Sequence, residues 1–163
     1  MNIELKDKNV QKTTELVINL IKKYNNHCDL SISSFNHEYY NELSKYDIDI
    51  QFQFLLDYQL PDNETKDKSH KDIIPIYKNG NKKGTINMFF GEITEEIVKE
   101  VHDSGLGIMA WCNKVKNEKL NDAENEEIFF KLISIGVDII CSNYPDKVFN
   151  ARQKYIESVS VVV

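Results

Sequence analysis

The chain has 163 residues, of which 41% are apolar and 28% are charged, and its formal net charge is −6. This length and composition predict one globular domain and exclude an intrinsically disordered chain. The acidic balance disfavours a nucleic-acid partner, and no apolar run predicts a transmembrane segment or a signal peptide.

The cysteines Cys28, Cys112 and Cys141 are widely spaced, and no two of them form a CxxC pair. An odd number without such spacing predicts free thiols rather than a metal cluster or a disulfide framework. Free thiols are typical of a reducing compartment, so we expect a cytoplasmic location.

Apolar residues recur in alternating strand and helix patterns along the chain. The predicted strands are 2–7, 30–35, 50–56, 85–90, 107–112 and 137–141. The predicted helices are 9–25, a segment that Asn36 caps, a segment from Thr94 to Gly105, 125–136 and about 145–157. The polar stretches 57–83 and 113–122 are predicted as loops. Strands separated by helices favour parallel pairing and an α/β architecture.

In parallel sheets and barrels of this kind, ligands bind at the carboxyl ends of the strands. We therefore expect the polar residues that close the strands to share one rim, where a site would form. These residues are Glu4, Lys6, Ser33, Ser34, Phe35, Asn87, Trp111, Cys112, Asn113, Ser142 and Asn143.

Four segments in order carry a resemblance to a known family: NIELK, SSF about 30 residues later, HDSGLGIMAWCN, and GVDIICSNYPD. Together they resemble the landmarks of the glycerophosphodiester phosphodiesterase family. The resemblance implies a TIM-type (β/α)₈ barrel that uses a divalent cation, Mg²⁺ or Ca²⁺. It also implies hydrolysis of a small-molecule glycerophosphodiester to glycerol 3-phosphate and an alcohol, a reaction of lipid metabolism.

The same resemblance implies roles for five residues. Glu4 would be a metal ligand, Lys6 a catalytic positive charge near the phosphate, and Ser33, Phe35 and Trp111 substrate contacts. Without the family match, Glu4 and Lys6 would be a polar strand rim and Trp111 a core residue. The sequence departs from the family at WCNK, where WTVN is usual, and at Ser142–Asn143, where Thr–Asp is commoner.

The resemblance places NIELK at about the fourth strand of the barrel. We therefore expect residues 1–163 to form a partial domain, an open barrel of about strands 4–8 truncated at its N-terminus, with a polar loop insertion at about 57–83. The family's HRG motif, its Glu-x-Asp metal ligands and its second catalytic histidine have no counterpart here. A lone carboxylate at Glu4 is a poor cation site. The chain alone is thus expected to be inactive and to bind a cation weakly or not at all.

The histidines offer no clear substitute as a general acid. His37 is expected to be an exposed residue in the first turn of a helix, where the helix N-terminus disfavours its protonated form. His27 is expected in a turn on the opposite rim and His70 in the charged loop.

Three interpretations remain open: a phosphodiesterase completed by an upstream segment or a partner chain, a non-catalytic binding or interaction module, and an unrelated α/β domain. An open barrel would expose a strand edge and apolar interior side chains, such as Ile32 or Ile50 if they face inward. That exposure predicts self-association, or a partner that supplies further strands.

Overall fold

A computed structural model describes residues 1–24, 29–56, 68–111 and 122–160, with side chains described from residue 126 onward in the last range. The chain forms two compact units, Met1–Ile86 and Asn87–Val163. The predictions made for His27, Cys28, Cys112, Asn113 and the polar loop 113–121 lie outside the described residues.

Strands and helices alternate along both units, as the sequence predicted. The strands are β1 Asn2–Glu4, β2 Ser31–Ser34, β3 Gln51–Leu55, β4 Gly84–Phe89, β5 Gly107–Trp111 and β6 Ile139–Cys141. The helices are α1 Val10–Tyr24, α2 Glu38–Leu43, α3 His70–Lys78, α4 Glu95–Asp103, α5 Asp122–Ser134 and α6 Pro145–Ser160.

The strands form one sheet in the order β1-β2-β3-β4-β5-β6. Parallel pairing joins β1 to β2, β2 to β3 and β5 to β6. The predicted parallel sheet in chain order is therefore confirmed. In the first unit, Asn2 lies opposite Ser31 and Glu4 opposite Ser33. Because side chains alternate between the faces of a strand, these four residues point to the same face.

Aromatic side chains fill the core of the first unit. The ring of Tyr40 lies 4.9 Å from that of Phe54, which lies 4.8 Å from that of Phe52, and all three residues are fully buried. The Tyr40 hydroxyl lies 3.0 Å from the carbonyl oxygen of Tyr77 and 3.1 Å from that of Lys82. These hydrogen bonds join α2, which contains Tyr40, to α3 and to the residues that precede β4. They thereby fix the positions of the strand ends in this unit.

Helix α4 of the second unit has the ends that the sequence predicted. The Thr94 side chain accepts a hydrogen bond from the backbone N–H of Ile97. Gly105 has a φ of 86°, and the N–H of Leu106 donates to the carbonyl oxygen of Val101. This arrangement is a Schellman motif, in which glycine tolerates the left-handed conformation that ends the helix.

The prediction of a loop over 57–83 is wrong for residues 70–78, which form α3; residues 57–67 lie outside the described part of the chain. Ser69 and Asp72 form a capping box at the start of this helix. Charged residues interrupt the apolar pattern of this helix in the sequence, although the helix has an apolar face on which Ile73 is fully buried. Burial of that face against the core stabilises a helix that the polar composition disfavours.

Large exposed apolar side chains occur at both ends of the described chain. They are Met1, Leu16, Leu20 and Tyr24 in the first unit, and Ile139, Phe149, Ile156 and Val159 in the second. Ile32 and Ile50, which would be exposed if they faced the interior of an open barrel, are only 0% and 3% exposed, so they do not contribute to an exposed apolar surface. None of the described helices combines the length and apolar character of a membrane span.

Candidate functional site

Glu4 and Lys6 lie together at the carboxyl end of β1. The Lys6 Nζ is 3.3 Å from a Glu4 carboxylate oxygen, and the two side chains are 75% and 35% exposed respectively. An ion pair as exposed as this contributes at most about 1 kcal/mol to stability. The ammonium group of Lys6 is therefore accessible to an anionic ligand, and Glu4 holds it near the strand end.

A chain of hydrogen bonds crosses the same face from β3 to β1. The Gln53 Nε2 donates to the Ser31 Oγ at 3.2 Å, and that hydroxyl donates to the Asn2 Oδ1 at 3.1 Å. The Asn2 Nδ2 then donates to the Ser33 Oγ at 2.9 Å. Ser33 is 1% exposed and lies opposite Glu4 in the sheet. The predicted site residue Ser33 is thus a buried, oriented hydroxyl beside the ion pair.

The segment after β2 places Phe35 and His37 at the same end of the strands. Phe35 is half-buried, whereas His37 is only 3% exposed. The expectation that His37 is an exposed first-turn residue is therefore wrong. Its ring packs edge-on against Phe54, with centroids 5.4 Å apart, and this contact draws the imidazole into the core.

The burial of His37 also sets its charge. Desolvation lowers the pKa of the imidazole to about 4; a hydrogen bond to the Leu55 carbonyl opposes this shift, and the charge of Lys68 adds to it. The Nε2 lies 3.0 Å from that carbonyl oxygen, so it carries the proton, and the Nδ1 has no hydrogen-bond partner among the described residues. The ring is neutral at pH 7 and supports the fold rather than supplying a proton.

A cavity of about 370 Å³ lies beside His37 in the first unit. It is open to solvent, and its walls are Asn36, His37, Glu38, Asn41, Lys68 and Ile76. Because Asn36, His37 and Glu38 directly follow β2, the cavity adjoins the strand end that carries Phe35. It was not foreseen from the sequence, because Lys68 and Ile76 were assigned to a loop.

In the second unit, Asn87 lies within β4, two residues before its last residue, and Trp111 is the last residue of β5. Asn87 is 1% exposed. Trp111 is half-buried and packs against Phe89 with ring centroids 5.1 Å apart. Trp111 therefore has both a packing contact and an exposed part. The predicted grouping of these residues with Glu4 stays a prediction, since they belong to the other unit.

The residues after β6 form a local turn. The Ser142 Oγ accepts a hydrogen bond from the backbone N–H of Tyr144 at 3.0 Å, and Asn143 is exposed. The thiol of Cys141, directly before them, is free and exposed. Ser142 thus shapes the turn into α6, as a short polar side chain commonly does.

Glu4 supplies a single carboxylate for a divalent cation. Within the described part of the chain, no group of three or more His, Cys, Asp or Glu side chains could hold a metal ion. Mg²⁺ and Ca²⁺ need six or more oxygen ligands, and the Glu4 carboxylate is paired with the Lys6 ammonium. The expected weak or absent cation binding by this chain alone stays a prediction.

Solved structures of similar fold match most of this chain. A protein of Galdieria sulphuraria, assigned as a glycerophosphodiester phosphodiesterase, has a TM-score of 0.67 and 25% identity, over 91% of this chain and 55% of its own. A phosphodiesterase of Oleispira antarctica, solved with the product sn-glycerol-3-phosphate, has a TM-score of 0.58 and 17% identity, over 93% and 54%. A glycerophosphoryl diester phosphodiesterase of Parabacteroides distasonis has a TM-score of 0.54 and 16% identity, over 94% and 50%.

No family model matches the sequence, and neither does any curated protein. The structural matches, together with the strand order, define an α/β fold that is part of a TIM-type barrel. More particularly, the chain has a partial glycerophosphodiester phosphodiesterase fold, as its four sequence segments predicted. It spans about half the length of the solved structures that it matches.

Asn2 is the residue that sequence reasoning missed in this region. It is the first residue of the NIELK segment, in which only Glu4 and Lys6 were given roles, and its side chain joins Ser31 and Ser33 across the β1–β2 pair. The signal was present in the alternation of β1, because Asn2 and Glu4 share one face of the strand.

Proposed function

We propose that this chain binds the phosphate group of a glycerophosphodiester and takes part in its hydrolysis to glycerol 3-phosphate and an alcohol. The observation that carries the proposal is the exposed Lys6 ammonium beside Glu4 and Ser33, at the strand ends of this particular fold. The Oleispira antarctica neighbour, whose structure contains sn-glycerol-3-phosphate, supports the choice of ligand.

Each candidate residue has a chemical role in this proposal. Lys6 supplies a point charge for a phosphate oxygen, and Ser33 supplies a hydroxyl donor. Phe35 and Trp111 each keep the role of an apolar substrate contact that the resemblance implies. A divalent cation bound by this chain alone would depend on Glu4, and we expect that binding to be weak.

Hydrolysis itself needs a general base and a general acid within reach of the phosphate. His37 is bonded to Leu55 and His102 to Asp138, while His70 is buried in α3. We therefore propose that the chain alone binds without turnover, and that hydrolysis requires groups from another polypeptide segment. The place of this reaction in lipid metabolism and a cytoplasmic location are parts of the same proposal.

A non-catalytic binding module is the second candidate function, and the engagement of His37 and His102 with other partners favours it. The two candidates differ in turnover. Both predict no release of glycerol 3-phosphate by the chain alone, so the test adds a separate polypeptide segment that carries the family's HRG motif and Glu-x-Asp ligands, with glycerophosphocholine and Mg²⁺ or Ca²⁺. Release of glycerol 3-phosphate by this mixture, and not by either polypeptide alone, would refute the binding module.

Replacing Lys6 tests the phosphate site directly. A charged hydrogen bond contributes about 1.5–3 kcal/mol, so we expect Lys6→Ala to weaken binding of sn-glycerol 3-phosphate by about tenfold or more. Isothermal titration calorimetry measures the effect. Lys45→Ala is the matched control, because Lys45 is also an exposed lysine of the first unit in an ion pair, with Glu42. Equal affinities of the wild type and Lys6→Ala would contradict the proposal.

We further propose that another polypeptide segment packs on the exposed side of α1. Leu16, Leu20 and Tyr24 are 56%, 57% and 61% exposed and lie four residues apart, so they share one side of the helix. The first strand of the sheet order, β1, precedes this helix directly. The occupant is either a second copy of the chain or a segment that adds a strand to β1, which agrees with the self-association expected from the sequence.

A further inference from the structure

The hydrogen-bond chain from β3 to β1 has a single direction. Gln53 donates to the Ser31 Oγ, which leaves the Ser31 hydrogen free to donate to the Asn2 Oδ1. With its oxygen so occupied, the Asn2 amide presents its Nδ2 to the Ser33 Oγ. Each donor in the series thus fixes the role of the next, and hydrogen bonds linked in this way polarise one another.

The series ends on Ser33, whose Oγ acts as an acceptor on the side of Asn2. In that bond the Ser33 oxygen is the acceptor, so the bond does not use the Ser33 hydroxyl hydrogen. A ligand oxygen that accepts this hydrogen gains a hydrogen bond from a donor that is already oriented. Ser33 lies opposite Glu4, the residue that holds Lys6.

We propose that Asn2 is a positioning residue for phosphate binding: by donating to the Ser33 oxygen, it keeps the Ser33 hydroxyl as a donor toward a ligand phosphate oxygen beside Lys6. The inference rests on the proposed function and adds a residue to it. Asn2 does not touch the ligand, and it acts through Ser33 alone.

Asn2→Asp is the sharpest test, because aspartate has nearly the shape of asparagine but no donor. The Ser33 hydroxyl would then donate to the new carboxylate, and its hydrogen would be withdrawn from the ligand. We expect affinity for sn-glycerol 3-phosphate, measured by calorimetry, to fall about tenfold in both Asn2→Asp and Ser33→Ala. In the double variant we expect no further loss beyond that of Ser33→Ala.

The added negative charge of Asn2→Asp needs its own control. Gln51→Glu adds the same charge on the same face, since Gln51 lies opposite Ser31, which lies opposite Asn2. Its effect on affinity is subtracted before the variants are compared. Thermal melts of all variants show whether they fold. If Asn2→Asp unfolds, Asn2→Ala replaces it, because alanine removes the donor without adding charge.

The outcomes separate the two proposals. If Asn2→Asp weakens binding as much in the Ser33→Ala variant as in the wild type, Asn2 does not act through Ser33 and this inference is wrong. If Lys6→Ala weakens binding and neither Asn2 variant does, the inference also fails while the phosphate site stands. If the wild type binds no sn-glycerol 3-phosphate, both proposals fail together.

Discussion

His37 shows how one buried side chain gives the first unit a dependence on pH. Its imidazole is 3% exposed, and burial lowers its pKa from 6.5 to about 4. Between these values the unfolded chain takes up a proton that the folded chain does not. The stability that His37 contributes is therefore fully present above pH 6.5 and is lost as the pH falls toward 4.

We expect the replacement His37→Gln to remove this pH dependence. Glutamine can donate to the Leu55 carbonyl oxygen as the imidazole does, but it does not titrate. Urea unfolding near pH 7 and near pH 4.5 should show that the wild type loses about 2 kcal/mol more than the variant on acidification. Parallel losses in the two proteins would mean that His37 is protonated in the folded chain. Glu15→Gln, a change at an exposed carboxylate of the same unit, serves as a control.

The candidate site is also best understood residue by residue. Strand alternation and the carboxyl-end rule predict that Glu4 and Lys6 lie near Ser33, because both rules depend only on sequence position. In the structure Glu4 lies opposite Ser33 and 3.3 Å from the Lys6 Nζ, while the roles of the three residues stay predictions. The burial of His37 could not be read from the sequence, since Phe54 and Leu55, which contact it, are 17 and 18 residues away along the chain. Tertiary contacts of that kind leave no local pattern.

At the level of elements, the helices that end in glycine were predicted and α3 was not. Gly105 and Gly136 follow α4 and α5 with φ values of 86° and 93°, and a glycine after an apolar helical pattern is a strong local signal. Helix α3 has the capping residues Ser69 and Asp72 but an interior Pro75, and it lies among charged residues. Local propensity alone therefore favoured a loop there.

Replacing Gly105 tests how much the Schellman motif stabilises the second unit. A side chain at a φ of 86° is strained, so we expect Gly105→Ala to lower the free energy of unfolding by about 1 kcal/mol. Gly105→Asn is the matched control, because asparagine tolerates this conformation better and should cost less. Chemical denaturation monitored by circular dichroism measures both variants. If alanine and asparagine have the same effect, backbone strain does not explain the preference for glycine.

For the molecule as a whole, the distribution of exposed apolar side chains is the main physical constraint. In the described residues, no large apolar side chain between Tyr24 and Ile139 is highly exposed. The exposed ones belong to the first strand–helix segment and to the last, and β1 and β6 are the first and last strands in the sheet order. Among the strands that the structure describes, every intermediate strand has a neighbour on both sides, whereas β1 and β6 have one each. Apolar surface beside a strand edge is typical of an interaction site.

The exposed side of α1 should therefore drive association of the isolated chain. Burying a leucine side chain contributes about 1.5–3 kcal/mol, so we expect the triple replacement Leu16→Gln, Leu20→Gln and Tyr24→Gln to weaken self-association by tenfold or more. Analytical ultracentrifugation over a range of concentrations measures this change. The matched control replaces the polar, exposed residues Gln11, Glu15 and Lys22 of the same helix with serine, and it should associate as the wild type does. A wild-type chain that stays monomeric at high concentration and melts cooperatively would show that α1 tolerates water on this side without a partner.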